Sequence, residues 1–420
     1  MTDPRTLFIS LFTAAVAAAD PERTLRDHLP PRPKGRTIVI GAGKGSAQMA
    51  RALESAWDGP LEGIVVTRYG YGCDCERIEI VEAAHPVPDE AGLKAGQRLL
   101  GAVAGLTADD LVIALVSGGG SALLPAPPAG LTLADETAVN EALLASGAPI
   151  SAMNTVRKHV SSIKGGRLAA AAHPARVVSL IVSDIPGDNP AHVASGPTVP
   201  DGATRADALS VVETYGLRLP DAVMAHIRSP AADAPMPDDS RFAGNEVRVI
   251  ASAGISLEAA VAEAMRHGIE AVILSDAIEG EAREVGKVHA AIAREIALRD
   301  RPFARPVLLL SGGETTVTIA QKGGRGGRNT EFLLSLALGI EGLAGVHAFA
   351  ADTDGIDGSE ANAGAFADGT TATRLRGLRH DPRGMLARHD AWAAFDALGD
   401  LFASGPTGTN VNDLRAVLVL

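Results

Sequence analysis

Short apolar runs that stop at a glycine or small polar residue, and then give way to helical periodicity, recur through this chain. The first is Thr37-Ile38-Val39-Ile40, followed by Gly41-Ala42-Gly43-Lys44-Gly45-Ser46 and an amphipathic stretch at 48–57. A run with no polar alternation is buried on both faces, and a helix between successive runs is the connection that keeps them parallel. Further runs fall at 63–67, 111–116 and 177–182, with helical stretches at 91–105 and 134–146. The first half therefore reads as a Rossmann-like, doubly wound parallel sheet, whose ligands belong at the carboxyl ends of its strands.

The composition agrees: 46% of residues are apolar but only 3% aromatic, so small aliphatic side chains must fill the interior. A chain of 420 residues exceeds one ordinary core and predicts two α/β domains. The segment 229–243, with three prolines and three aspartates, has little to bury and reads as the linker. It sets an N-terminal domain at 1–240 and a C-terminal domain at 241–420. Beyond it, strands are expected at 247–251, 271–274, 307–310 and 345–350, with a helix at 257–267. The β-branched stretch 315–319 has no helix before it, so it predicts an antiparallel partner in a mixed sheet.

A net charge of −12 argues against nucleic acid or an anionic membrane as partner. The apolar stretch 7–19 is too short to span a bilayer, and Asp3 offsets Arg5 ahead of it, so it reads as a helix docked on the protein. Cys73 and Cys75, the only cysteines, are too few for a disulfide framework or a four-ligand zinc site and read as reduced thiols. A cytoplasmic enzyme of small molecules is expected, and a homodimer is compatible with it.

The glycine-rich turns carry the chemistry. Gly41 to Ser46 leaves a strand and opens a helix, so its free amides and the helix dipole would favour an anion, with Lys44 inside the concavity and Gly43 allowing close approach. It is not a Walker A loop, whose lysine follows four intervening residues and a glycine, nor the dinucleotide fingerprint, since Ser46 replaces the last glycine. In Ser117-Gly118-Gly119-Gly120-Ser121 three successive glycines let the backbone form a nest of donors with a hydroxyl at each rim, where a plain turn needs one. The segment 154–167 gathers Asn154, Arg157, Lys158, His159, Lys164 and Arg167; Arg157, Lys164 and Arg167 lie near helical spacing. It is read as an anion-binding face, with a merely solvated face as the plain alternative. Asp184 and Asp188 follow another strand, as does Ser195; each aspartate could serve a hydroxyl or Mg²⁺, or simply form a turn.

The second half repeats the pattern with Ser311-Gly312-Gly313-Glu314, with Arg325, Arg328 and Asn329 in the loop 323–331, and with Asp352-Thr353-Asp354-Gly355-Ile356-Asp357. The last is not an EF-hand, since Asp357 stands at the glycine position and Ala363 at the bidentate glutamate. Asp354 and Asp357 are read instead as ligands of a Mg²⁺ that serves a nucleotide.

Together these loops resemble the glycerate 2-kinase family with a C-terminal MOFRL domain, over nearly the whole chain. The resemblance implies ATP- and Mg²⁺-dependent phosphorylation of D-glycerate at its 2-hydroxyl, in a cleft between a Rossmann-like and a mixed-sheet domain. It matches the family's lysine to Lys44 and its arginine to Arg328, with Arg325 as the alternative three residues earlier. It departs from the family at Thr330, where glutamine is usual. Lys44, Arg328 and Asp184 are therefore the expected catalytic residues. Gly43, the 117–121 turn, the 154–167 segment, Asp188, Ser195, Gly313, Glu314, Arg325 and Asn329 are expected to hold glycerate and ATP. Two rivals stand beside this reading. One is an NAD(P)-dependent hydroxypyruvate reductase, although the second strand ends in Thr67-Arg68 rather than an acid for the ribose diol. The other is a non-catalytic sugar-acid sensor.

Overall fold

The computed structural model describes residues 3–319 and 323–420. It divides into two compact α/β units: Pro21–Ile250, and Met1–Asp20 with Ala251–Leu420.

The first unit carries β1 (Thr37–Ala42), β2 (Glu62–Arg68), β3 (Ile78–Ala83), β4 (Leu111–Ser117), β5 (Arg176–Val182) and β6 (Glu246–Ala251), in the order β3-β2-β1-β4-β5-β6. β1 runs parallel to both β2 and β4, β2 to β3, and β4 to β5. All residues of β1 and β4 are buried, which is why they read as unbroken apolar runs. β3 escaped the sequence reading because Ile78-Glu79-Ile80-Val81-Glu82 interleaves charge at the sheet edge. Local caps set the helix starts: the Asp89 carboxylate accepts from Gly92 N–H ahead of Glu90–Ala102, and Thr132 with Asp135 forms a capping box before Leu133–Ala145.

The expected boundary shifts. β6 was assigned to the second domain but is the edge strand of the first sheet. The proline-rich 229–243 stays in the first unit, where the Arg167 guanidinium donates to the carbonyls of Ala232 and Asp233, each at 3.0 Å. Its backbone polar groups are thus met by a side chain instead of a ladder.

The second unit holds β7 (Ala271–Ser275), β8 (Gly280–Glu281), β9 (Val307–Ser311), β10 (Thr315–Thr316), β11 (Val346–Asp352), β12 (Gly364–Asp368), β13 (Leu401–Phe402) and β14 (Asp413–Val419). Its mixed sheet runs β13-β12-β11-β14-β9-β7, antiparallel except for β7 with β9. The 315–319 expectation fails in detail. β9 already has β14 and β7 on its two edges, so β10 pairs parallel with β8 in a ladder of its own.

One face of this sheet packs on the helices Ala282–Arg299 and Arg328–Gly339, the other on Ala253–Arg266 and Pro4–Ala18. The first helix belongs to this unit, not to the N-terminal domain expected from its place in the chain. Leu7, Phe8, Leu11, Phe12 and Ala15 form a stripe at helical spacing, and Phe8 stacks on Phe349 with ring centroids 5.8 Å apart. Among the described residues, no helix is long and apolar enough to cross a membrane.

Candidate active site

In the first unit, Ala42 and Val116 are paired, so the turns that leave β1 and β4 lie side by side. This is the point where strand order reverses, the usual ligand position in a doubly wound sheet. Gly43 sits at φ +144°, and a Cβ there would fall 2.1 Å from Ser117 Oγ. The first turn faces its amides inward. Gly43 N–H donates to Val66 O (3.1 Å), Lys44 N–H to Gly118 O (2.9 Å) and Gly45 N–H to Ser117 Oγ (3.0 Å). The expected cradle of free amides is therefore absent at these three residues, because β2 takes one of them and the second turn takes the other two. The Lys44 side chain remains: it lies along Gly119 and, among the described residues, has no carboxylate within ion-pair distance.

The triple glycine is required by crowding as well as by conformation. Gly119 is left-handed, at φ +79°. A Cβ on Gly118 would lie 1.8 Å from Asp184 Oδ2, so the Asp184 carboxylate sits directly against this turn. A Cβ on Gly119 would lie 3.1 Å from both Lys44 Cε and His85 Nε2. His85, just past β3, was missed with its strand. Burial, and the charges of Lys44 and Arg68, hold its imidazole down at about 4.

Ser121 joins a second layer. Its hydroxyl is 2.8 Å from Ser195 Oγ, which donates to Asn154 Oδ1 (2.8 Å); Asn154 Nδ2 donates to His192 O (3.1 Å), and Arg157 Nη1 to Asn154 Oδ1 (3.3 Å). Ala194 and Ser195 are both left-handed, at φ +52° and +60°, a conformation that costs about 1–3 kcal/mol per non-glycine residue and gathers at functional sites. Asp188, at φ +50° in the turn Pro186–Asp188, stands as a turn-former.

The basic segment is corrected. Its helix, Ile150–Lys158, stops before Lys164; Gly165 and Gly166 turn the chain at positive φ, and a new helix starts at Arg167. Arg157, Lys164 and Arg167 share no helix face. Lys164 Nζ is 2.5 Å from Glu136 Oε1 with both side chains buried, Lys158 pairs with Asp201, and Arg167 holds backbone carbonyls. Three of the four cations thus stabilise the fold, and only Arg157 reaches the Ser121–Ser195–Asn154 network.

In the second unit, Arg328 opens the helix Arg328–Gly339 and is gripped on every nitrogen: Nε by Asp413 Oδ1 (2.8 Å), Nη1 by Glu314 Oε1 (2.9 Å) and Nη2 by Asp352 Oδ2 (2.6 Å). Burial alone would destabilise this guanidinium; the three carboxylates reverse that and push its pKa up. Asp352 and Asp413 face each other across β11 and β14, and the buried Arg415 pairs with Asp413. Burial raises Asp352, with Asp413 and Asp354 adding to it, whereas Arg328 and Arg415 hold Asp413 low against burial. Asp352, Asp413 and Arg415 escaped the sequence reading as a cluster because strand pairing across some sixty residues assembles them. Gly313 lies against Ile278, where a Cβ would come within 2.3 Å of its nitrogen, and its carbonyl accepts from Asp413 N–H. Arg325 has another setting: it is half-exposed and stacked 3.8 Å from the Trp392 ring centre.

Of the two expected metal ligands, Asp357 is engaged by the fold. Both Asp357 oxygens cap the Arg328–Gly339 helix, accepting from Asn329 N–H and Thr330 N–H at 2.9 Å each and from the Thr330 hydroxyl at 2.8 Å. Asp354 accepts from Ile356 N–H (2.8 Å). Among the described residues, no group of three or more His, Cys, Asp or Glu is placed to hold a metal ion. The Thr330 departure is structural too, since its hydroxyl bridges Gly327 N–H and the capping carboxylate. Asn329 donates to Asp413 Oδ1 (2.8 Å) from within the cluster.

A lysine with no carboxylate partner among the described residues, at the switch point of a parallel sheet, and a separate mixed-sheet unit with an arginine ringed by carboxylates, define a two-unit α/β enzyme of anionic substrates. Residues 7–228 match the family described as a domain of unknown function, DUF4147, and residues 307–413 match the MOFRL family. The chain is 40% identical to the glycerate 2-kinase of Pyrococcus horikoshii over 99% of this chain and 98% of that one. A crystal structure of glycerate kinase from Thermotoga maritima matches it with a TM-score of 0.90 at 38% identity, covering 99% of each chain. A 54% identical protein of Agrobacterium vitis, matched over 97% of this chain and 93% of its own, carries a name that provisionally assigns hydroxypyruvate reductase activity. The chain belongs to the glycerate kinase family, and it is a phosphotransferase.

Proposed function

We propose that this enzyme transfers the γ-phosphoryl group of ATP to the 2-hydroxyl of D-glycerate, giving 2-phosphoglycerate and ADP. The observation that carries the proposal is the Lys44 ammonium, which among the described residues has no carboxylate partner, beside the triple-glycine turn at the sheet's switch point. Full-length identity to a glycerate 2-kinase supports the reaction. Phosphoryl transfer asks the protein mainly for positioning and for cations around the moving charge. Lys44 supplies one such cation. Arg328 is the cation assigned to this role in the second unit: of its three carboxylate partners only Glu314 is more than half exposed, so an anionic oxygen would take that place on Nη1. Asp184, against Gly118, orients the substrate. The Ser121–Ser195–Asn154–Arg157 network fixes the wall of the site. Both Asp357 oxygens are spent on the helix cap, so the metal is assigned to the substrate, as MgATP, and no step is routed through a protein-held ion. The enzyme is assigned to the cytoplasm and to small-molecule partners.

The reductase reading is favoured only by the name of the Agrobacterium vitis relative. Against it, the Gly43–Gly45 amides are consumed inside the fold, so they are not offered to a dinucleotide pyrophosphate. The test is an ADP-release assay with D-glycerate and MgATP, with the product identified by enzymes that separate 2- from 3-phosphoglycerate. Lys44→Ala should lower kcat/KM by about 10³–10⁵, by analogy with other cations that neutralise a transferring phosphoryl group. No ADP release by wild type, or oxidation of NAD(P)H on addition of hydroxypyruvate, would sink the reading.

A further inference from the structure

Lys44 and His85 come from two different strand ends, β1 and β3, and converge on the space beside Gly119. Each approaches to 3.1 Å from the point a Cβ on Gly119 would occupy, Lys44 through Cε and His85 through Nε2. Among the described residues, neither His85 ring nitrogen has a hydrogen-bond partner. A half-buried imidazole that braces nothing, placed beside the cation of the transfer, is not a packing residue. We propose that His85 is a catalytic residue whose Nε2 accepts the proton of the substrate hydroxyl as that hydroxyl attacks the γ-phosphorus. The assignment rests on the glycerate kinase reading.

The step balances as follows. The hydroxyl oxygen forms a bond to the γ-phosphorus while the bond from that phosphorus to the β–γ bridging oxygen breaks, and ADP leaves with the electron pair. The hydroxyl proton passes to Nε2, and the imidazolium then releases it to water. Two properties suit His85 to this. Burial and the charges of Lys44 and Arg68 keep the ring neutral at pH 7, so a lone pair is available. At about 4, its basicity is that of a carboxylate, the group that takes the hydroxyl proton in protein kinases. Unlike a carboxylate, it adds no negative charge facing the phosphates. Asp184 lies against the neighbouring Gly118 and is assigned to orienting the substrate.

The experiment is steady-state kinetics of wild type, His85→Ala and His85→Asn, with thermal melts to verify folding and with imidazole titrated into each. The expected result for His85→Ala is a kcat lower by about 10²–10⁴, with the KM for glycerate within about threefold of wild type. Added imidazole should restore kcat saturably, by about tenfold or more, in His85→Ala and not in Lys44→Ala. If the alanine variant melts early, the isosteric His85→Asn is judged on the same fall in kcat. The proposal is overturned if a folded variant keeps more than about a tenth of wild-type kcat, if the loss lies in KM alone, or if imidazole rescues nothing. Wild type that transfers no phosphate to glycerate defeats the functional reading and this assignment with it. An active wild type with an unaffected His85→Ala defeats this assignment alone.

Discussion

Three lysines of the first unit, Lys44, Lys158 and Lys164, have the same side chain and opposite duties. Lys158 and Lys164 are almost wholly buried and paired with Asp201 and Glu136, while Lys44 has no carboxylate partner among the described residues. A buried ion pair gives little net stability but costs heavily when halved, because one charge is stranded in a low dielectric. Lys164→Met should therefore destabilise the protein by ~3–5 kcal/mol in denaturant unfolding. Lys164→Met with Glu136→Gln should regain much of this loss. Glutamine keeps an acceptor for Ala126 N–H, which Glu136 satisfies at 2.9 Å, without leaving a naked charge. A double variant as unstable as the single would show that the lysine matters for packing rather than charge.

At the scale of elements, the helix Arg328–Gly339 carries the arginine of the second unit, and Asp357 holds its first turn. Asp357→Ala should cost about 2 kcal/mol, at the upper end for a helix cap because the carboxylate is buried. The loss should appear in thermal melts run in EDTA, where a metal ligand would show no effect. The helix Pro4–Ala18 closes one face of the second sheet with Phe8, which is 1% exposed. Phe8→Ala should cost ~3–5 kcal/mol, read by chemical denaturation; a change under about 1 kcal/mol would mean that the helix is not part of this core.

Across the whole molecule, acidity should unfold the protein early. His85, His159 and His289 are each held at about 4 against an ordinary 6.5, burial being the first cause in every case. His289 shows the structural reason. One ring nitrogen meets the Val285 carbonyl (2.9 Å) and donates to it; the other meets Ser311 Oγ (2.9 Å) and accepts in the neutral form, so a second proton would reverse that bond and place a charge in a buried ring that also feels Arg415. Folded pKa values below unfolded ones mean that the unfolded chain binds more protons between these limits. The stability these groups contribute is full above about 6.5 and is lost as pH falls towards about 4. Melting temperature should decline across that window, and His289→Gln should flatten the decline. An unchanged melting temperature from pH 7 to 4 would refute the linkage.

The alternation of apolar runs and helices determined the two α/β units by itself, since strands buried on both faces and crossover helices leave their periodicities in the local sequence. The glycine turns and Lys44 were legible for the same reason: close backbone approach demands glycine at particular positions. Tertiary structure alone decided which strand of the boundary belonged to which sheet, which half the first helix joined, and what each charge faced. β6 and Pro4–Ala18 read the same whichever sheet they join. Lys164 and Lys44 differ only in whether the fold brings a carboxylate to them, Asp357 became a cap because helix Arg328–Gly339 begins against it, and His85 came near Lys44 because the parallel strands β1 and β3 end on the same side of the sheet.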